Sequence, residues 1–198
     1  RHLTSGDHPL TPRVMVNRCW HHYFGTGLVE TTSDFGKMGR PPSHPDLLDW
    51  LAAELVEKGW SLKQLHRLVL TSATFRQSNR PNSRALEIDA NSRLLWRFPP
   101  RRVEAEVIRD TILTASGKLN RKAGGVSFDL FKEKGGLSGY NPLETFTEEG
   151  WKRMIYARKI RMQSVGVFGA FDCPDAGQMT PQRTRSITPL QALSLMNS

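Results

Sequence analysis

Cysteine is scarce in this chain: two residues, Cys19 and Cys173, among 198. That excludes a disulfide framework and a four-cysteine zinc site. No run of about 18 apolar residues occurs, so no segment reads as a membrane span. Histidine is absent after His66, which leaves Cys173 without a histidine base nearby in sequence. There is no Gly-x-Ser-x-Gly elbow, phosphate-binding loop or dinucleotide fingerprint. There is also no Cys-x-x-Cys-His, because Cys19 is followed by Trp20-His21-His22, so the segment cannot attach a c-type haem. Acid is in deficit, with 19 Asp+Glu against 28 Lys+Arg and a net charge of +9. Arginine dominates that surplus, at 19 against 9 lysines.

What is present suffices for a folded core. Hydrophobic residues make up 38% and charged residues 24%, an ordinary globular balance. The chain opens Arg1-His2 with no signal-peptide pattern. A capped helix still under way at Asn197-Ser198 is expected to continue, as a piece of a longer polypeptide would.

Local signals place most of the helices. Thr11-Pro12 opens a helix carried to Phe24 by Val16, Cys19, Trp20 and Tyr23, with Gly25 as its stop. Gly25 to Pro42 reads as an ordered loop packed by its own Leu28, Val29, Phe35 and Met38. Ser43 is the expected cap of a second helix to Lys58, whose buried face runs through Leu47, Leu48, Leu51, Leu55 and Val56. Ser61 and Gln64 form a capping box for a third helix, through Leu65, Leu68, Val69 and Phe75. Gln77 to Asp89 reads as a polar excursion, and Asn91 to Trp96 as a short helical turn. Pro100 to Ser116 is expected to be a long helix stopped by Gly117. Beyond it glycines break any periodicity. Ser127–Phe131 and Met154–Arg158 are the candidate strands, Gln163–Phe171 a short helix, and Arg185–Thr188 a strand leading to the last helix. There Thr188, Pro189 and Gln191 supply the cap, the first-turn proline and the capping box. The fold class is therefore mainly α with a minor β component (α+β). A helical subdomain over 1–118 is followed by a strand-containing part over 119–198.

Several motifs in one order carry a likeness. Arg13 to Trp20, Phe24-Gly25-Thr26-Gly27-Leu28-Val29 and Asp34-Phe35-Gly36 open it. His44 to Ala52, Gly59-Trp60-Ser61-Leu62-Lys63, Ser72 to Gln77, Asn91 to Arg97 and Arg101 to Asp110 extend it. Phe171-Asp172-Cys173-Pro174-Asp175 and Thr188 to Leu193 close it. The set resembles the domain of unknown function 1553, a planctomycete-type domain often found behind cytochrome c-like modules. The resemblance implies a module of a larger, extracytoplasmic (periplasmic or cell-surface) bacterial protein. Its partners would be neighbouring domains of the same polypeptide, such as a cytochrome c-like module. The family has no established activity, so the likeness implies context rather than chemistry.

Three constellations could carry chemistry. His21, His22, Asp34 and His44 are imidazole and carboxylate ligands that suit a divalent metal if the glycine-rich loop folds back. Against this, adjacent histidines point about 100° apart on a helix. Asp172 and Asp175 bracket Cys173-Pro174 and could act as acid and base, with Arg183 as partner; the plain alternative is that they satisfy loop amides or pair with Arg183 and Arg185. The cations Lys152, Arg153, Arg158, Lys159 and Arg161 follow one another with no acid between them. With Trp60 and Trp151, which follow glycines, Arg153 and Arg158 could offer an anionic glycan a stacking and pairing surface. Trp20 and Trp50 have the spacing of core residues. Nucleic acid fits less well, because helix three presents Lys63, Gln64, His66 and Arg67 rather than a dense basic face.

The leading expectation is thus a module that binds or helps degrade acidic or complex polysaccharide. A metal-assisted hydrolase using His21, His22, Asp34, His44 and Asp172 is one alternative, and a scaffold without activity is another.

Overall fold

Thr11-Pro12 and Gly25 bracket the first helix in the computed structural model, which describes residues 8–132, 140–161, 166–174, 176–178, 183 and 186–197. That helix, α1, runs Thr11–Phe24, and Gly25 stops it at φ 83°, a left-handed cap that glycine adopts without a Cβ penalty. α2 follows at Pro45–Glu57, α3 at Leu62–Thr71, α4 at Ala73–Arg76 and α5 at Ser83–Ile88. α6 spans Ala105–Ala115, β1 Phe131–Lys132, β2 Asn141–Pro142, α7 Gly166–Ala170 and α8 Pro189–Asn197. The protein is mainly helical, with one small antiparallel sheet in which Phe131 faces Pro142 and Lys132 faces Asn141.

The chain divides into two compact units, Arg1–Arg101 and Arg102–Ser198. The division precedes α6, whereas the sequence reading carried the helical part to residue 118.

The first unit is organised by α1. Val16, Trp20 and Phe24 recur every four residues on one face and are buried with Leu28 and Val29 of the following loop, Leu48, Leu51 and Leu55 of α2, and Leu65 and Val69 of α3. Asn17, fully buried, clamps the loop: its amide nitrogen donates to the Val29 carbonyl at 2.9 Å and its oxygen accepts from the Val29 N–H at 2.8 Å. Gly27 lies against that clamp, and a Cβ there would come 2.8 Å from the Asn17 amide. The loop is therefore ordered, as expected, although Met38 is exposed.

Several local expectations are corrected here. Ser43 does not cap α2; His44 holds the cap position without a side-chain bond, and Ser43 instead bonds the Leu28 carbonyl. Trp50 is half exposed, because α2 turns Leu48, Leu51, Ala52 and Leu55 inward. The third helix ends at Thr71, and Ser72 caps the separate α4. The excursion after Gln77 contains α5, capped by Asn82. Asn91 to Trp96 is not helical: Ser92 and Leu95 take left-handed backbone, φ 54° and 57°.

The second unit has two apolar clusters. Phe128, Leu130, Phe131 and Met154 form one; Ala105, Phe171 and Cys173 form the other. Arg109 of α6 lies over the rings of Phe128 and Phe146, 5.1 and 5.8 Å from their centroids, and donates to the carbonyls of Gly150 and Lys152. α6 begins at Ala105 rather than near Pro100, because the chain is still extended at Glu104, ψ 155°. The expected strand Met154–Arg158 is a 3-10 turn, Met154–Tyr156, with a single bridge from Ala157 to Phe128. Its Met154 N–H is taken by Asp110 of α6 at 2.8 Å instead of a ladder partner. Ser127–Phe131 pairs only at Phe128 and, with Lys132, in β1. Residues 186–188 are not a strand; Arg185 and Gln163 to Val165 lie outside the described residues. No described helix is long and apolar enough to cross a membrane.

Candidate functional site

The four residues expected to hold a metal are not brought together. His21 and His22 sit in the last turn of α1 with rings 5.8 Å apart and edge-on. The Asp34 carboxylate caps its own turn, accepting the Gly36 N–H at 2.8 Å. The His44 Nδ1 lies 3.0 Å from the Ser43 hydroxyl. Among the described residues no group of three or more His, Cys, Asp or Glu side chains is placed to hold a metal ion.

Asp172, one of the expected catalytic pair, is part of a polar network in the second unit. Asp172, in left-handed backbone at φ 58°, accepts the Ser186 N–H at 2.6 Å and the Ser186 hydroxyl at 2.8 Å. These bonds hold its carboxyl below the ordinary range, with Arg102 at 4.0 Å assisting. Asp175 lies outside the described residues. Arg183 pairs with Glu106 at 2.8 Å and Glu104 at 3.2 Å. Burial pushes the Glu106 carboxyl up, but Arg183, the backbone and Cys173 outweigh it, and the net shift is downward. Beside them the buried Cys173 sulfur lies 2.8 Å from the Lys159 amine and 3.5 Å from Glu106. Burial pushes this thiol above its ordinary range; Lys159 opposes that and Glu106 adds to it.

The expected glycan platform is largely dismantled. Trp60 packs against the core of the first unit, and Trp151, in the second unit, carries Lys118 over its ring at 5.5 Å. Lys152 is 3% exposed and paired with Glu149, Arg153 faces Asp110 at 3.9 Å, and Arg158 pairs with Asp129. Lys159 serves Cys173. Lys152 is thus internal, while Arg153, Arg158 and Lys159 stay exposed and each meets a partner within the unit.

Sequence reasoning missed the hollow in the first unit. A cavity of about 340 Å³ opens between the end of α1, the loop behind it and residues 91–99. Trp20, Phe24 and Leu28 form its apolar side; Glu30, Asn91 and Arg93 form its polar side. The 89–97 segment is fixed by many bonds. Asp89 accepts from the Arg93 and Leu94 N–H groups at 3.0 and 2.8 Å, Trp96 donates to the Asp89 carbonyl at 2.9 Å, and Gln77 donates to the Leu95 carbonyl at 2.8 Å. Arg97 donates to the Ser92 hydroxyl at 2.9 Å and stacks on Trp96. Such bonding sustains the strained φ of Ser92 and Leu95 at the cavity wall. Glu30 is bound by Arg40 at 2.8 Å and more loosely by Arg93 at 3.4 Å, so Arg93 is the polar group most easily turned to a ligand. The Asn91-Ser92-Arg93 run was the available signal, but its helix-like spacing concealed a turn.

Neither the curated proteins nor the solved structures hold a match to the chain. The family model described as PSD1, protein of unknown function (DUF1553), matches residues 1–198. The chain belongs to that family.

Proposed function

We propose that this domain is a saccharide-recognition module and that the hollow of the first unit is its binding site. The observation that carries the reading is the lining: Trp20, Phe24 and Leu28, each almost wholly buried, share one hollow with the polar Glu30, Asn91 and Arg93. Sugars present apolar ring faces and a rim of hydroxyls, and a pocket with one apolar side and a few placed polar groups matches both. The volume, about 340 Å³, suits a small polar unit of a polysaccharide rather than a long stretch of it. Arg93, with its loose internal pairing, would accept a hydroxyl or a sugar carboxylate. On this reading recognition lies in a pocket and not in a basic surface, and the domain binds within a larger, extracytoplasmic protein.

Titration calorimetry against neutral, uronic and sulfated saccharides tests it. Binding is expected for at least one class, and Arg93→Ala should weaken it tenfold or more, roughly 1.4 kcal/mol. Absence of binding across the panel, or binding untouched by Arg93→Ala and Asn91→Ala, would reject the reading. A scaffold role is the second reading, favoured by the internal engagement of Arg109, Arg183 and Lys152; it predicts an inert panel.

A further inference from the structure

Lys159 and Cys173 stand apart from the hollow, and neither has a part in the saccharide reading. Lys159 is an exposed residue, yet its amine reaches 2.8 Å from the Cys173 sulfur and 3.0 Å from the Pro174 carbonyl. The sulfur belongs to a buried apolar cluster with Ala105 and Phe171, and Glu106 lies 3.5 Å from it. A primary amine within hydrogen-bond distance of a thiol places together the two atoms that a sulfur–nitrogen bond would join.

We propose that Cys173 and Lys159 form a peroxide-responsive covalent cross-link, a modification site that ties together segments fourteen positions apart. In the first step the sulfur attacks one peroxide oxygen. The S–O bond forms, the O–O bond breaks, and the departing oxygen takes the thiol proton as water, leaving a sulfenic acid. In the second step the Lys159 ammonium first gives a proton to solvent, and the amine then attacks that sulfur. The S–N bond forms, the S–O bond breaks, and the hydroxyl leaves as water with one amine proton. Sulfur is oxidised by two electrons, peroxide is reduced to water, and the product is a sulfenamide that thiol reductants reverse. Glu106 lies 3.5 Å from the reacting sulfur. Burial keeps the thiol protonated near neutrality, so the first step is slower than at an exposed thiolate.

The test uses the full chain carrying Cys19→Ser, treated with hydrogen peroxide and analysed by intact mass and peptide mapping. The expected result is a loss of about 2 Da, reversed by thiol reductant, with a peptide that joins residues 159 and 173. Lys159→Arg should abolish the joined peptide and leave gains of about 16 or 32 Da at Cys173. Such gains in the Lys159-containing protein without a joined peptide, or no change at Cys173, would overturn the proposal. If Cys19→Ser does not fold, peptide mapping of the unsubstituted chain decides, since a lysine–cysteine link and a cysteine–cysteine link give different joined peptides.

Discussion

Asn17 illustrates how one side chain can hold a loop. Both of its amide groups are used on Val29, and the side chain has no solvent exposure. Asn17→Ala therefore leaves a buried N–H and a buried carbonyl unsatisfied, at a cost of about 2–4 kcal/mol; chemical denaturation should show it as a lower midpoint at unchanged slope. Asp172 gives a prediction in pH. Its carboxyl ordinarily titrates at 3.8 and is held lower in the folded chain. The stability it contributes is thus fully present above 3.8 and is lost as pH falls through the lowered folded value. Glu106, ordinarily at 4.5 and also lowered, acts in the same direction. Thermal melts of Asp172→Asn should be destabilised at neutral pH and should fall less steeply below about pH 5 than those of the parent chain. Equal slopes would mean that Asp172 carries no such linkage.

At the scale of elements, α8 shows where chemistry local to the sequence prevails. Its capping box is half formed as expected: the Thr188 N–H donates to the Gln191 side chain at 2.9 Å. The same side chain donates to the Ala170 carbonyl at 2.8 Å and to the Ser186 carbonyl at 3.2 Å. The buried residue of this helix is Gln191, while Leu190, Leu193 and Leu195 are more than half exposed, so the helix docks through a polar side chain rather than through its leucines. Gln191→Ala should cost about 1–3 kcal/mol and raise amide exchange in α8 and at Ala170 before the rest of the unit responds. The stops at Gly25 and Gly117 and the Ser61 cap were legible for the same reason: each depends on residues within one turn. Met154–Arg158 was not, because its backbone donor is claimed by Asp110, forty-four positions away. The cavity was not legible either, since Asn91-Ser92 is compatible with a helix start and nothing in a leucine signals the left-handed backbone of Leu95.

Across the whole molecule, charge and connectivity change meaning. The net +9 suggested an outward polyanion surface, but runs of like charge in sequence are dispersed or internally paired in space. The passage from the first unit to the second runs through backbone outside any helix or strand around Arg101 and Arg102. Brief trypsin treatment is expected to cut there first, giving fragments near residues 1–101 and 102–198; early cleavage inside α1 or α6 would contradict the division. The hollow has a consequence of a different kind. Trp20, Phe24 and Leu28 line it and also belong to the core of their unit. An occupant would thus lean on the same side chains that keep the unit folded. Whatever fits should raise the melting temperature in proportion to the logarithm of its concentration, so a dye-based melting series reads occupancy of the hollow without an assay of any reaction.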